Sequence, residues 1–327
     1  MKKSLFVLGV AVAALASCTQ SEVLDIAESN VIKFDNAFVG NATKVTAPEV
    51  TTETIKEMYV YAQNNTGDTD PGETNYVFTN TKVYDDGTGT WVYDDLKEWE
   101  TTGNTYYKFA AYAGTNLTDG TQVSFDWTNG LSFTGITIDG ASQYDLVANG
   151  TPVVSSDPGN RGLVQFTFSH LLSMVKFTLK NGFDASTPIA ISEFKFYGMK
   201  KTGGCSYNTS AWVWSNWAED VALGGTNFVG DGGDATTTAA LENSWVVIPQ
   251  TIADKTPVVQ FKATVDGTEK TFTAKIPAIT WQPGYRYNYI FTITAEDMEL
   301  QNKYITFGAP TVDKWENYQD VTGGTIE

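Results

Sequence analysis

The sequence predicts an all-β protein, two tandem antiparallel β-sandwich domains behind an N-terminal export segment, and three observations lead there. Aromatic residues make up 13% of the 327 positions, with 16 Tyr, 18 Phe, 9 Trp and 29 Gly beside abundant Thr, the composition of strands and turns. No window of about twelve residues keeps a 3.6-residue apolar period. Instead, roughly fifteen short alternating runs follow one another, each closed by Gly, Asn, Asp or Pro.

The chain opens MKKSLFVLGVAVAALASC. Lys2 and Lys3 precede an apolar run over 4–16, about thirteen residues, a secretory length too short to span a bilayer as a helix. Leu15-Ala16-Ser17-Cys18 resembles the bacterial lipobox. That resemblance implies a signal peptide over 1–17, lipid on Cys18, and an outer-membrane lipoprotein precursor, since Thr19 is not the Asp of inner-membrane retention. Residues 18–30 are polar and acidic and read as a tether.

An N-terminal sandwich is expected over 31–157. VIKFDNAFV starts it, with Ile32, Phe34 and Phe38 on one parity. MYVYAQN and TYYKFAAYAG are strands, and NTGDTDPGET is an acidic turn. TKVYDDGTGTWVYDD is a hairpin about Asp86-Gly87. The loop GTPVVSSDPGNRG (150–162) is the expected boundary, and a second sandwich follows over 158–327. In LVQFTFSHLLSMVKFTLKNG two alternating strands flank a kink at SHLLSM. VVQFKATVDGTEKTFTAKI is a hairpin about Asp266-Gly267, with Phe261, Ala263 and Val265 on the same face as Phe272, Ala274 and Ile276. WQPGYRYNYIFTIT is a turn and a long strand, and NKYITFGAPTVDKWENYQDVTGGTIE ends the chain.

Composition narrows the function. The net charge of −17 and the lack of a basic stripe argue against a nucleic-acid partner. The one histidine, His170, adjoins Ser169 in sequence, whereas a catalytic triad converges in space, so a buried histidine bonded to backbone at a strand bend is expected. Cys205 reads as a structural thiol. Asp85-Asp86, Asp94-Asp95 and Asp157 sit in turns, where Asp bonds its own backbone. Asp68, Asp70 and Glu73 lack the spacing of a calcium loop. No catalytic residue, metal site or cofactor is expected. Trp212 and Trp214 share a strand face and, with Trp217, are the candidates for stacking a host or dietary glycan, although a core face is the commoner use.

Four segments together resemble the fimbrillin family, lipoprotein precursors of type V pili: the lipobox start with Ile32 and Phe34 soon after it, YDLVAN leading to VQFTFSHLLSMVKFTL, WQPGYRYNYIFTIT, and ITFGAPTVDKW. The resemblance implies transthyretin-like sandwiches and a polymer subunit. In the family's assembly, proteolysis removes the lipid with the first strand, and a neighbour's C-terminal strand fills the groove. It implies fimbrial subunits as partners and a role as stalk, anchor or tip. Family members often have an arginine after the first strand. Here Lys44 is the basic residue of that loop and the processing candidate. Ile305, Phe307, Val312, Val321 and Ile326 are the donor-strand candidates. The alternative is a lipid-anchored adhesin that binds a glycan and does not polymerise.

Overall fold

The computed structural model describes residues 30–39, 50–51, 53–101, 103–114, 117, 120–155, 161–184, 187–221, 228–253, 257–299 and 305–315. Cys18, Lys44, Val321 and Ile326 lie outside them. Strands dominate, as the composition requires. The described residues include one helix, Ala295–Glu299. It starts at a Thr-x-x-Asp capping box, in which the Asp297 carboxylate accepts from the N–H and hydroxyl of Thr294. None of the described helices is long and apolar enough to cross a membrane.

An eight-stranded sheet dominates the N-terminal half. Its order runs Phe38–Val39, Thr167–His170, Val147–Ala148, Thr105–Ala113, Glu57–Thr66, Tyr76–Asp85, Trp91–Val92, with Val153–Ser155 also paired to Thr105–Ala113. The two central strands are buried on both faces, which is why MYVYA and FAAYA read as nearly continuous apolar runs. Met58, Val60, Ala62, Tyr107, Phe109 and Ala111 point into the N-terminal core. Tyr59, Tyr61, Ala110 and Tyr112 point the other way, into a second and larger core. There they meet a four-stranded sheet in which Val123–Asp126 and Gly130–Thr137 pair with Lys200–Tyr207 and Trp212–Asp220. Tyr112 packs edge-on against Phe133 at 5.6 Å and Tyr61 stacks on Phe125 at 6.4 Å.

The sheets do not divide at residues 157/158. Thr167–His170 belongs to the N-terminal sheet, pairing Ser169 with Ala148 and His170 with Val147. The chain leaves that sheet at Leu171-Leu172 and enters the C-terminal one at Ser173–Asn181. The SHLLSM kink is the crossing, and one sheet draws strands from both halves.

The C-terminal half stacks two further sheets. One has the order Leu241–Val247, Ser173–Asn181, Tyr285–Ile293, Thr311–Lys314; the other runs Phe228–Val229, Ile189–Phe196, Pro257–Val265, Thr268–Lys275, Ile305–Thr306, with Gly233–Ala235 also on Ile189–Phe196. Phe177 is central between them, with Phe196 at 5.0 Å, Phe307 at 5.3 Å and Tyr289 at 5.4 Å. The sheets are not wholly antiparallel. Tyr285–Ile293 runs parallel to Ser173–Asn181 from Arg286 opposite Met174 to Ile293 opposite Asn181. The Asp266-Gly267 hairpin forms as expected, both residues at positive φ (48° and 76°) and Phe261 opposite Phe272.

Side-chain amides extend the backbone pairing of two strands. The Gln143 amide donates to the Val246 carbonyl at 3.1 Å, and its carbonyl accepts the Val246 N–H at 2.9 Å. Gln250 does the same for Lys200, at 2.8 and 2.7 Å. Each amide substitutes for one residue of a neighbouring strand.

Candidate functional site: a groove filled by residues 31–39

Residues 31–39 run as an inserted strand between two parts of the chain distant in sequence. On one side the N–H of Ile32 donates to the Lys97 carbonyl at 2.9 Å and that of Trp99 to the Asn30 carbonyl at 2.7 Å. On the other, Asp35 donates to Val164 at 3.0 Å, Val164 to Lys33 at 2.8 Å and Phe38 to Phe166 at 2.9 Å. The strand is parallel to the segment after 163 and antiparallel to the one before 99.

Ile32, Phe34, Ala37 and Val39 are all buried. Phe34 sits in an aromatic cage, edge-on to Phe78 at 5.4 Å, Tyr93 at 5.6 Å and Phe109 at 6.2 Å, and stacked on Phe166 at 6.2 Å. The Tyr93 hydroxyl donates to the Ile32 carbonyl at 2.7 Å, and burial pushes that phenol above its ordinary range. The expected parity fails at Phe38, which is 54% exposed. The Asn36 N–H donates to the Asp35 carboxylate beside it at 2.8 Å, and after this local bond the inward parity passes from Ile32 and Phe34 to Ala37 and Val39.

The geometry is that of a peptide-filled slot. Its walls are made by the N-terminal half and its floor is aromatic. The model of the fimbrillin-like family matches residues 43–315, most of the chain. The chain belongs to the fimbrillin-like family. Solved structures with a similar fold include a candidate cell adhesion protein of Bacteroides ovatus, 15% identical, with 89% of this chain and 98% of that chain covered at a TM-score of 0.50. A candidate cell adhesion protein of Bacteroides uniformis is 17% identical, covering 88% and 98% at 0.47. The tip fimbrial protein Mfa3 of Porphyromonas gingivalis, with C-terminal truncation, is 11% identical, covering 80% and 94% at 0.38. No curated protein sequence matches the chain.

The other expected sites of this fimbrillin-like chain divide sharply. Ile305 and Phe307 are core residues of their own domain, 8% and 1% exposed. Ile305–Thr306 pairs parallel with Ala274 and Lys275, and Phe307 packs on Phe177, Tyr289 and Phe291. Withdrawing Ile305 and Phe307 to act as donors would open the C-terminal core. Val312 is exposed, on the edge strand Thr311–Lys314 beside Tyr285–Ile293.

The three tryptophans of the candidate glycan platform lie in different settings. Trp212 and Trp214 are buried, and the Trp214 indole donates to the Leu171 carbonyl at 2.7 Å, so neither ring offers a face to a sugar. Trp217 is 44% exposed but stands without them, its indole N–H donating to Pro249 at 2.9 Å.

His170 is buried as expected, but its partner is the Asp145 carboxylate rather than backbone. The signal was in the sequence as YDLVAN, whose strand pairs with that of His170, yet the distance between the segments hid it. Burial pushes the Cys205 thiol far up, away from the reactive thiolate. Asp68 pairs with Lys108 at 2.9 Å and Asp70 accepts the Gly72 N–H at 2.8 Å, so both carboxylates serve the turn. Asp85 accepts from Gly87 and Gly89, and Asp86 from Thr88, as turn chemistry requires.

Proposed function

We propose that this chain is a fimbrial subunit precursor, exported as an outer-membrane lipoprotein through Cys18 and assembled at the cell surface by strand exchange. The supporting observation is the inserted strand 31–39. It fills an aromatic slot lined by Phe78, Tyr93, Phe109 and Phe166, and Lys44 lies in the segment that follows. A cut there frees the strand, and an extended segment of a neighbouring subunit takes its place by main-chain pairing with alternate side chains in the slot. Since Ile305 and Phe307 are committed to their own core, the donor reading contracts to residues beyond Trp315, with Val321 and Ile326 as its apolar points.

Energetics favour exchange over an empty slot. Burying Ile, Phe and Val side chains at about 1.5–3 kcal/mol each puts the contribution of residues 31–39 on the order of 5–8 kcal/mol. Against a total domain stability of roughly 5–15 kcal/mol, the slot requires an occupant. A protein with a removable strand and a structural role needs no catalytic group; His170 is bonded to Asp145, Cys205 is buried, and Asp68, Asp70, Asp85 and Asp86 each have a hydrogen-bond or ion-pair partner.

The test is N-terminal sequencing of surface material from wild-type and Lys44→Ala cells. Wild-type chains are expected to begin near Val45, and Lys44→Ala to leave full-length lipoprotein and few polymers. Wild-type material that begins at acylated Cys18 would overturn the exchange reading. Cys18→Ala is expected to abolish lipid labelling and remove the precursor from outer-membrane fractions; a variant that still labels rejects the lipobox.

A further inference from the structure

One buried acid–imidazole pair lies where three separated parts of the chain meet. Asp145 and His170 are 1% and 2% exposed. The His170 Nδ1 stands 2.9 and 3.1 Å from the two Asp145 oxygens. The same carboxylate accepts the backbone N–H of Val50 at 2.9 Å. On its face, the imidazole lies parallel to the Trp315 indole, centroids 4.4 Å apart and planes 2° apart. Trp315 is fully buried, donates its backbone N–H to the Gly284 carbonyl at 2.7 Å, and has the Arg286 guanidinium 5.5 Å from its ring.

Two details show how closely these contacts are held. His170 Nε2 has no hydrogen-bond partner, so the carboxylate supplies the ring's hydrogen bond and the indole covers its face. Gly114, at φ +78°, lies where an added Cβ would collide with both the Asp145 carbonyl oxygen and the Val50 side chain. Val50 and Asp145 thus close over a position that only glycine fits.

The chain positions of the contacts give the pair its meaning. Val50 lies just after the segment that holds Lys44, and Trp315 lies just before residues 316–327. We infer that Asp145 and His170 form a relay that keeps the root of the C-terminal tail seated while the first strand is in place, and loosens it once the chain is cut before Val50. The inference rests on the strand-exchange reading and adds its order of events. An intact chain holds Val50 from both sides. After a cut, Val50 stands close to a free end, and end segments fray. A buried carboxylate that loses a donor pays the full penalty of the unsatisfied lone pair unless water enters or the side chain turns. Either change releases the imidazole from its fixed plane and takes from Trp315 the surface on which it stacks. Asp145 and His170 are positioning residues in this scheme, and the tail becomes available only on a subunit whose own slot is open.

Hydrogen–deuterium exchange of the amides at 311–315, read by mass spectrometry on the full-length chain in detergent, tests the relay. Proteolysis after Lys44 is expected to speed their exchange roughly tenfold, the effect of losing one hydrogen bond to a charged group, with the amides of Ser173–Asn181 unchanged. Val50→Pro removes the N–H that Asp145 accepts, together with the valine side chain beside Gly114 and free rotation about φ. In the uncut chain it is expected to reproduce most of that acceleration, and a later cut to add little. Asp145→Asn, which keeps the shape and loses the charge, is the second variant and is expected to act in the same direction. Unchanged exchange in both uncut variants, or a cut that accelerates Val50→Pro as much as wild type, overturns the relay. These arms need no polymer, so the relay is judged apart from its parent. A cut chain that polymerises while both variants stay flat refutes the relay alone. A cut chain that keeps residues 31–39 seated and does not polymerise refutes strand exchange.

Discussion

The first and last described segments of this chain, 31–39 and 305–315, both pair with distant partners and both bury apolar residues, yet they are bound in opposite ways. Residues 31–39 supply Ile32, Phe34, Ala37 and Val39 to the N-terminal core, held between 97–99 on one side and 164–166 on the other. The terminal segment 305–315 is distributed over two sheets. Ile305–Thr306 lies at one sheet's edge, Thr311–Lys314 at the edge of the other, and Phe307 and Trp315 are sunk in the larger core. The first strand resembles a bound peptide that happens to be covalent. The last is two clasps holding the C-terminal domain shut. Removability depends on whether the neighbours of a strand remain a folded body without it, and apolar content alone does not report that.

The strongest way to break this contrast is truncation at its two aromatic anchors. Phe34→Ala and Phe307→Ala are each expected to cost about 3–5 kcal/mol, the range for a buried Phe, in urea denaturation. The Phe34 loss should be confined to the N-terminal half. A Phe307 loss below about 1 kcal/mol would return the 305–307 segment to the donor role, since a waiting strand contributes little to its own domain. Deletion of 316–327 gives the opposite pattern. A thermal melt should shift by no more than a few degrees, because the two clasps end at Trp315, while polymer ladders disappear. A large drop in Tm would place core residues beyond Trp315.

The smallest effect lies in the hairpin that walls the slot. Asp85 stands opposite Trp91, which bridges to Phe34. Its carboxyl is held below the ordinary range by the Lys56 ammonium and then by the turn N–H groups. A depressed folded pKa gives stability that is present above the unfolded value and is lost as the pH falls through the folded one. Wild type should therefore lose its small advantage over Asp85→Asn on acidification below about pH 4. A difference between the two that does not change with pH would show that the turn bonds act through shape alone.

How much of this was legible follows from the range of the interactions. The Asp86-Gly87 and Asp266-Gly267 hairpins are local, and turn residues announce them. The SHLLSM kink was legible as a break in alternation, but its role as the crossing between halves was not, because that depends on Ser169 and His170 pairing with Ala148 and Val147. The parity change at Asp35-Asn36 rests on a side-chain bond that periodicity does not contain. The alternation of Ile305 and Phe307 showed a face to bury but not where, because their partners Phe177, Tyr289 and Phe291 come from elsewhere in the chain. Trp212 and Trp214 were ambiguous in sequence because an alternating face serves a core and a platform equally well. The second face of the central N-terminal strands, Tyr59, Tyr61 and Tyr112, was visible as unbroken hydrophobicity, and only the shared sheet explains it.

The clamp of Gln143 on Val246 has a consequence for valence. Leu241–Val247 is an edge strand, and an edge strand is an invitation to any extended chain nearby. An amide from the other half of the molecule occupies its main-chain groups at Val246. The edge strand Trp212–Asp220 is interrupted in another way, by Asn216 at φ 55° within a register shift. A subunit that exchanges strands at one slot while its other margins accepted strangers would branch and clump. On the proposed strand exchange, interrupting these two edges removes two places where an unintended strand could add, which favours an unbranched line over a clump.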